Sequence, residues 1–174
     1  MSNFEEIYQA HKNLVFNLAL QYVQSIEDAQ EITQDVFVAI HQSLDTFNNR
    51  ANISTWVYRI TINKSLDFIK AKKRKKRWGF LVALFDEESN EMLPDLAVFD
   101  HPGVQLEQKE AIATIFKHIN QLPSNQKTAL ILSKIEQKSQ IEIAEIMGMS
   151  LKAVESLIQR AKKNLSKKLD QNEG

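Results

Sequence analysis

The stretch Ser139–Leu157, SQIEIAEIMGMSLKAVESL, leaves its chain few ways to fold. Ser139 followed three residues later by Glu142 is the pattern of a reciprocal helix cap. Ile141, Ile143, Ala144, Ile146 and Met147 then make a short, mostly apolar helix. Gly148 stands where a left-handed residue ends it, and Ser150 is placed to cap the next helix. Ala153, Val154, Leu157 and Ala161 recur at helical spacing behind that cap. Two short helices crossing tightly need a small residue where they meet, a residue free to take positive φ between them, and branched side chains to lock the second. Ala144, Gly148, and Val154 with Leu157 supply these at the spacing of a helix-turn-helix, which predicts a helix presented to DNA. An ordinary helical hairpin fits the same pattern, and this stretch alone leaves both open.

The chain has 174 residues, enough for one medium domain or two small ones, and lacks cysteine. Disulfides, zinc–thiolate sites and thiol nucleophiles are therefore excluded, and a reducing, cytoplasmic setting is expected. The opening MSNFEEIYQAHKN lacks the basic-then-apolar order of a signal peptide. The longest apolar run, Trp78–Phe85, is far short of a membrane span, so no direct membrane insertion is expected.

Net charge is zero, yet the charges are sorted along the chain. Acids dominate before Arg50. From Arg50 to Arg77 the balance reverses, with Arg59, Lys64, Lys70, Lys72, Lys73, Arg74 and their neighbours against Asp67 alone. Residues 86–107 are acidic, without Lys or Arg, and the C-terminal end carries Arg160, Lys162, Lys163, Lys167 and Lys168. Two basic blocks about an acidic segment suggest two phosphate-facing surfaces, with solvated helix ends as the bland alternative.

Apolar residues from Phe4 to Val23 follow i, i+3, i+4 spacing, which predicts an amphipathic helix. Ser25 and Asp28 resemble a cap for a second helix with the stripe Ala29, Ile32, Val36, Phe37, Ile40 and Leu44. After the turn-rich DTFNNRAN, Ser54 or Thr55 starts a third helix that runs out in KAKKRKKR. WGFLVALF shows no obvious face, and Pro94, Pro102 and Gly103 punctuate the acidic segment after it. Helical spacing resumes at Val104, ends at Leu122–Pro123, restarts with Ser124 as a cap, and closes with the Ser139–Leu157 helix pair. The expected fold is all-α: an N-terminal three-helix domain over 1–77, a linker over 78–103, and a four-helix C-terminal domain over 104–174 containing the helix-turn-helix.

Catalytic constellations are scarce. His11, His41, His101 and His118 show no metal-ligand spacing, the glycines are too dispersed for a phosphate loop, and no Walker lysine or dinucleotide fingerprint exists. No enzyme, cofactor or metal is expected. The third helix is more informative: Ser54, Thr55, Trp56, Tyr58, Arg59 and Asn63 gather aromatic, hydroxyl, amide and cationic groups just before the lysine run. Aromatic faces stack unpaired bases, amides read base edges and cations hold phosphates, which suits single-stranded nucleic acid. Trp56 also falls on the apolar stripe, so a core role is an even alternative for it.

In this order the features resemble the extracytoplasmic-function group of bacterial sigma factors, the two-domain initiation factors of RNA polymerase. EDAQEITQDVFVAIHQSLDTF is similar to that family's polymerase-docking helix. STWVYRITINKSLDFIKAKKRKKR is similar to its promoter-melting, minus-ten-reading helix, and LPSNQKTALILSKIEQKSQIEIAEIMGMSLKAVESLIQRAKKNL to its minus-thirty-five domain. The resemblance implies that Gln34, Asp35, Phe37 and Ile40 meet the clamp helices of core polymerase. It implies that Trp56 lies beside the melted strand, that Asn63 captures a flipped minus-ten base, and that Arg59, Lys64, Lys70, Lys72 and Lys73 work nearby. In the recognition helix it implies base-facing Glu155, Ser156 and Gln159, with Lys152, Arg160 and Lys163 on phosphates. Many relatives carry a cation where this chain has Glu155 and Leu157; Glu155 suits a cytosine amino group and not a guanine edge. The partners implied are bacterial core RNA polymerase, promoter DNA and an anti-sigma factor. A conventional helix-turn-helix regulator, binding duplex DNA as a dimer, is the rival.

Overall fold

The computed structural model describes residues 4–47, 52–85 and 106–171. These residues form helices α1 (Phe4–Val23), α2 (Ile26–Ser43), α3 (Ile53–Phe85), α4 (Leu106–Ile119), α5 (Ser124–Leu130), α6 (Gln140–Met147) and α7 (Leu151–Asp170). A 3-10 turn, Leu44–Thr46, follows α2, and α5 continues as a π turn over Ile131–Ile135. No strand occurs among the described residues, so the all-α fold expected from the periodicity is the one observed.

The helix ends explain the breaks. Gln24 adopts a left-handed φ of 50° and donates to the Leu20 carbonyl at 2.8 Å, which stops α1 without a glycine. Ser25 then accepts from the Asp28 amide at 3.3 Å and starts α2. The third helix begins earlier than expected. Asn52, rather than Ser54 or Thr55, supplies the cap, its side-chain oxygen accepting from the Ser54 amide at 3.0 Å. It also ends later, continuing to Phe85 through the WGFLVALF run expected to be linker. Nothing in that run stops a helix: it holds no proline, Gly79 costs about 1 kcal/mol, and leucine and alanine favour the helix. Ser124 is the first residue of α5 and offers no side-chain cap, Pro123 standing before it. Residues 86–105, which hold the rest of the expected linker, lie outside the described residues.

Contacts divide the chain into two units, Met1–Gln42 with Ile60–Ala97, and Ser43–Arg59 with Val98–Gly174. In the first, the buried face is Ile7, Val15, Leu18 and Tyr22 of α1 with Ile32, Val36, Phe37 and Ile40 of α2. Each such side chain contributes about 1.5–3 kcal/mol when fully buried. Among the described residues, Thr61, Ile62 and Ser65 are the buried positions of α3 in this unit; Ser65 satisfies its hydroxyl on the Thr61 carbonyl at 2.7 Å. In the second, Ile119, Leu122, Leu130 and Ala161 form a cluster against which Phe116 and Leu165 pack. Buried Lys127 donates to the Asn120 side-chain oxygen at 2.7 Å, and Asn164 of α7 donates to Gln126 of α5 at 2.8 Å.

Within this second unit the α6–α7 pair is built as its sequence predicts. Ser139 accepts from the Glu142 amide at 3.2 Å while the Glu142 carboxylate accepts from the Ser139 amide at 2.8 Å. Gly148 is left-handed at φ 64°, and the Met149 amide donates back to the Ala144 carbonyl at 3.0 Å. Ser150 caps α7 by accepting from the Ala153 amide at 3.2 Å. Ile143, Ile146, Val154, Ile158 and Ala161 are buried. Leu157, expected to complete the seam, is only half-buried; Ile158 takes that place.

Candidate nucleic-acid and partner interfaces

Gln34 and Asp35 are exposed on α2, one helical step apart, while Phe37 beside them is nearly covered. Ile40 is fully buried. It therefore seats α2 and has no surface to offer a partner, which changes the role that the family resemblance implies for it. Beside Gln34 and Phe37 opens a depression of about 550 Å3, to which α1 contributes Phe4 and Tyr8. The rings there are ordered: Phe4 meets Phe37 edge to face at 6.4 Å and His41 at 5.2 Å, and Tyr8 meets Phe37 at 4.8 Å. Lys12 lies 5.8 Å from the Tyr8 ring centroid on its face. Periodicity alone makes Phe4 and Tyr8 core residues; their positions on the apolar stripe carry no sign that the stripe ends in an open mouth. His11, half-buried on the same helix, has its pKa lowered by desolvation.

The α3 residues separate into distinct environments. Trp56 is half-buried and stacks on Phe47, ring centroids 4.5 Å apart at 27°. One of its faces thus has a partner already, between the two roles weighed for it. Tyr58, buried, donates to Glu136 at 2.6 Å and carries Lys138 over its ring at 5.1 Å. Burial first, and then the Glu136 carboxylate, raises the Tyr58 pKa well above the ordinary phenol value. Arg59, implied to work beside melted DNA, donates through Nε to the Ile146 carbonyl at 3.1 Å and through its fork to Glu145. It thereby occupies the carbonyl end of α6, where a cation is favoured by the helix dipole.

Asn63 is exposed and Lys64 half-buried. Lys70 and Lys73 are exposed; Lys70 is 4.0 Å from Asp67, an exposed pair of little energetic weight. Lys72 is salt-bridged to Asp28 of α2. Farther along, Trp78, Phe80, Leu81 and Val82 are all exposed, so the apolar run is helical with no covered side in its described part.

On α7, Lys152, Glu155, Gln159, Arg160 and Lys163 are exposed and Ser156 half-buried. The Arg160 guanidinium donates to the Ser156 hydroxyl at 2.8 Å, which ties a position expected to face bases to one expected to face phosphates. Apart from exposed Leu151 in its first turn, the helix has a polar outer face and a buried inner face, the arrangement needed to lie in a groove. At the entrance of α6, the hydrogen bond from the Ser139 backbone, then the Ser139 and Lys138 side chains, hold the Glu142 carboxyl below its ordinary pKa. Among the described residues no group of His, Asp or Glu is arranged to hold a metal, and no helix is long and apolar enough to cross a membrane.

Comparison with known proteins matches residues 7–75 to Sigma-70 region 2 and residues 115–165 to Sigma-70 region 4. The ECF RNA polymerase sigma factor SigW of Bacillus subtilis is 28% identical over 95% of this chain and 88% of its own. The ECF RNA polymerase sigma-E factor of Haemophilus influenzae is 29% identical over 95% and 87%. Among solved structures, the Bartonella quintana sigma factor RpoE, determined with the anti-sigma factor NepR, aligns over 96% of both chains with a TM-score of 0.68 at 18% identity. CnrH, determined with the cytosolic domain of CnrY, aligns over 97% of this chain and 88% of its own with a TM-score of 0.65 at 24% identity.

Proposed function

The chain belongs to the sigma-70 family, in its extracytoplasmic-function group, and from that premise we propose how its residues divide the work of promoter-directed initiation. It is a sigma factor that binds core RNA polymerase, recognises promoter minus-ten and minus-thirty-five elements and directs initiation. The family is a non-catalytic one, and the protein acts as a specificity subunit. The observation that carries this is the pair of region matches, in order and together covering well over half of the chain. A conventional dimeric regulator would have no use for the first of them.

In the proposed division, Gln34 and Asp35 are the polar contacts to polymerase, Phe37 lies under them, and Ile40 holds α2 in register. Asn63 receives the flipped minus-ten base: its carboxamide offers one donor and one acceptor edge, and its exposure leaves both available. Lys64, Lys70 and Lys73 hold adjacent phosphates, with Lys72 contributing once Asp28 is displaced. Trp56 stacks a base on the face that Phe47 leaves open, and Arg59 joins only on leaving the α6 carbonyls. On α7, Glu155, Ser156 and Gln159 face bases and Lys152, Arg160 and Lys163 face phosphates. With an acid at 155, the helix reads cytosine-bearing pairs better than guanine edges.

The solved neighbours were determined with an anti-sigma factor or a cytosolic partner domain. We extend that to this chain: an anti-sigma partner keeps it from polymerase, and the whole cycle takes place in the cytoplasm. The test is association. Labelled full-length chain titrated with bacterial core polymerase should bind tightly, and titrated with duplex promoter DNA alone should bind poorly. Tight duplex binding by a dimer without core would overturn the reading.

A further inference from the structure

The far end of α3 has no role in this division beyond Lys70, Lys72 and Lys73. After Asp67 the helix carries no acid: Lys70 is followed by the unbroken cationic run Lys72–Arg77, and then by WGFLVALF. Every residue from Lys72 to Val82 is exposed. Lys70 has Asp67 at hand and Lys72 has Asp28, while Lys73–Arg77 stand exposed with no acid among them. Directly beyond, Trp78 is 71% exposed, Phe80 64%, Leu81 47% and Val82 48%. Large apolar side chains gathered within little more than one turn make a patch rather than scattered surface residues, and such patches mark interaction surfaces.

We propose that this part of α3 lies on an anionic lipid surface, its cations on headgroup phosphates and Trp78, Leu81 and Val82 at the hydrocarbon boundary. Lys70, Arg74, Trp78, Leu81 and Val82 fall at i, i+4, i+8, i+11 and i+12, along one side of the helix. That stripe is about 18 Å long at the rise of an α-helix, basic at one end and apolar at the other. Phe80 lies on the opposite side from Trp78 and takes no part. The helix lies in the plane of the surface; among the described residues none is long and apolar enough to cross a membrane. Nucleic acid answers the cations alone, and an apolar protein groove answers the patch alone. A lipid surface presents dense negative charge beside hydrocarbon, which matches both ends of one stripe. A cluster of Lys and Arg on a helix draws it to anionic headgroups, and an adjoining apolar anchor supplies the second signal that stable adsorption needs. Tryptophan is the side chain favoured at that boundary. The same helix cannot lie on lipid and hold promoter phosphates through Lys70 and Lys73 at once, so the lipid-bound chain is withheld from initiation. That consequence rests on the proposed minus-ten role of those lysines; the adsorption does not.

The test uses the full-length chain with vesicles of phosphatidylcholine alone or of phosphatidylcholine and phosphatidylglycerol in equal parts. Binding is read by co-sedimentation and folding by thermal melting. The chain should bind the anionic vesicles, be released by added salt, and ignore the neutral ones. Arg74→Glu with Arg77→Glu should reduce that binding at least about ten-fold, and Leu81→Ser with Val82→Ser should also reduce it strongly, each at an unchanged melting temperature. Tryptophan emission should shift to the blue on binding. Trp78→Phe should keep the binding and lose the shift, since Trp56 then reports alone. Absence of binding to anionic vesicles, equal binding to both kinds, or binding that neither pair of substitutions weakens would each overturn the proposal. So would a Leu81→Ser, Val82→Ser chain that loses core polymerase or an anti-sigma protein while the parent binds neither vesicle, because the patch then serves a protein.

Discussion

The Tyr8 ring meets the Phe37 ring edge to face, with centroids 4.8 Å apart, so that α1 and α2 are joined by aromatic contact beside Gln34 and Asp35, the residues proposed to face polymerase. Such a pair adds about 0.5–1.5 kcal/mol beyond its buried area. The surface beside Gln34 and Asp35 is therefore built from two helices, and the share of α1 in it is hidden in the sequence among ordinary core positions.

Asn63→Ala should reduce selectivity for the minus-ten element while leaving core affinity unchanged, because Asn63 is exposed on α3 and supports no packing. Initiation from promoter variants at the minus-ten position, measured alongside core binding, checks this. An equal loss of core affinity would remove Asn63 from base capture.

Gly148→Ala should cost about 1–2 kcal/mol, the left-handed backbone strain alone, since an added Cβ meets nothing within 4 Å. Gly148→Asn should cost less, because asparagine visits this region more readily. Chemical denaturation distinguishes the two, and equal, negligible losses would mean the turn relaxes to another conformation.

The Ser139–Glu142 cap sets a pH dependence. Glu142 has a folded pKa below its ordinary value, so its contribution is present above the ordinary carboxylate pKa of about 4.3 and is lost as pH falls through the folded value. Ser139→Ala should lose about 1 kcal/mol near pH 7 and progressively less in acid, where the parent has already lost part of the cap. Melting curves across that window test it; a pH-independent difference would show that the carboxylate does not matter.

Tyr58→Phe should destabilise by about 1–2 kcal/mol, because it removes the buried hydroxyl that donates to Glu136. Tyr58 has a raised pKa, so its stabilisation is complete below the ordinary phenol value of about 10 and is lost as pH rises through the folded one. Denaturation at neutral and alkaline pH compares the parent with the variant.

Gln159→Ala should change the minus-thirty-five preference, and Lys163→Ala should weaken all sequences alike and lower the salt dependence of promoter binding by about one counterion. Selection of promoter variants by the polymerase-bound protein separates the two effects. An unchanged preference would remove Gln159 from the reading face.

Much of the fold is legible in the sequence because its signals are local. A cap such as Ser139 with Glu142, or a glycine such as Gly148, acts within one turn, and apolar spacing on α1, α2 and α7 needs only neighbours along the helix. The features that escape depend on contacts distant in sequence or on residues without a local mark. Gln24 and Gln137 take positive φ although neither is glycine. The π turn at Ile131–Ile135 shows no sequence sign. The bonds of Tyr58 and Arg59 reach partners more than seventy residues away. Ile40 lies on the apolar stripe of α2 with residues expected to dock, yet is sealed inside, because a periodic pattern shows which side of a helix is apolar and not where the core ends.

The most direct measurement is initiation itself. Core polymerase, a library of promoter fragments and nucleotides are combined with and without the purified chain. The expected result is transcripts that appear only when the chain is present, from fragments sharing spaced minus-ten and minus-thirty-five elements. No chain-dependent transcript from any fragment, with duplex DNA bound equally well in the absence of core, would contradict the assignment of this chain as a promoter-specificity subunit.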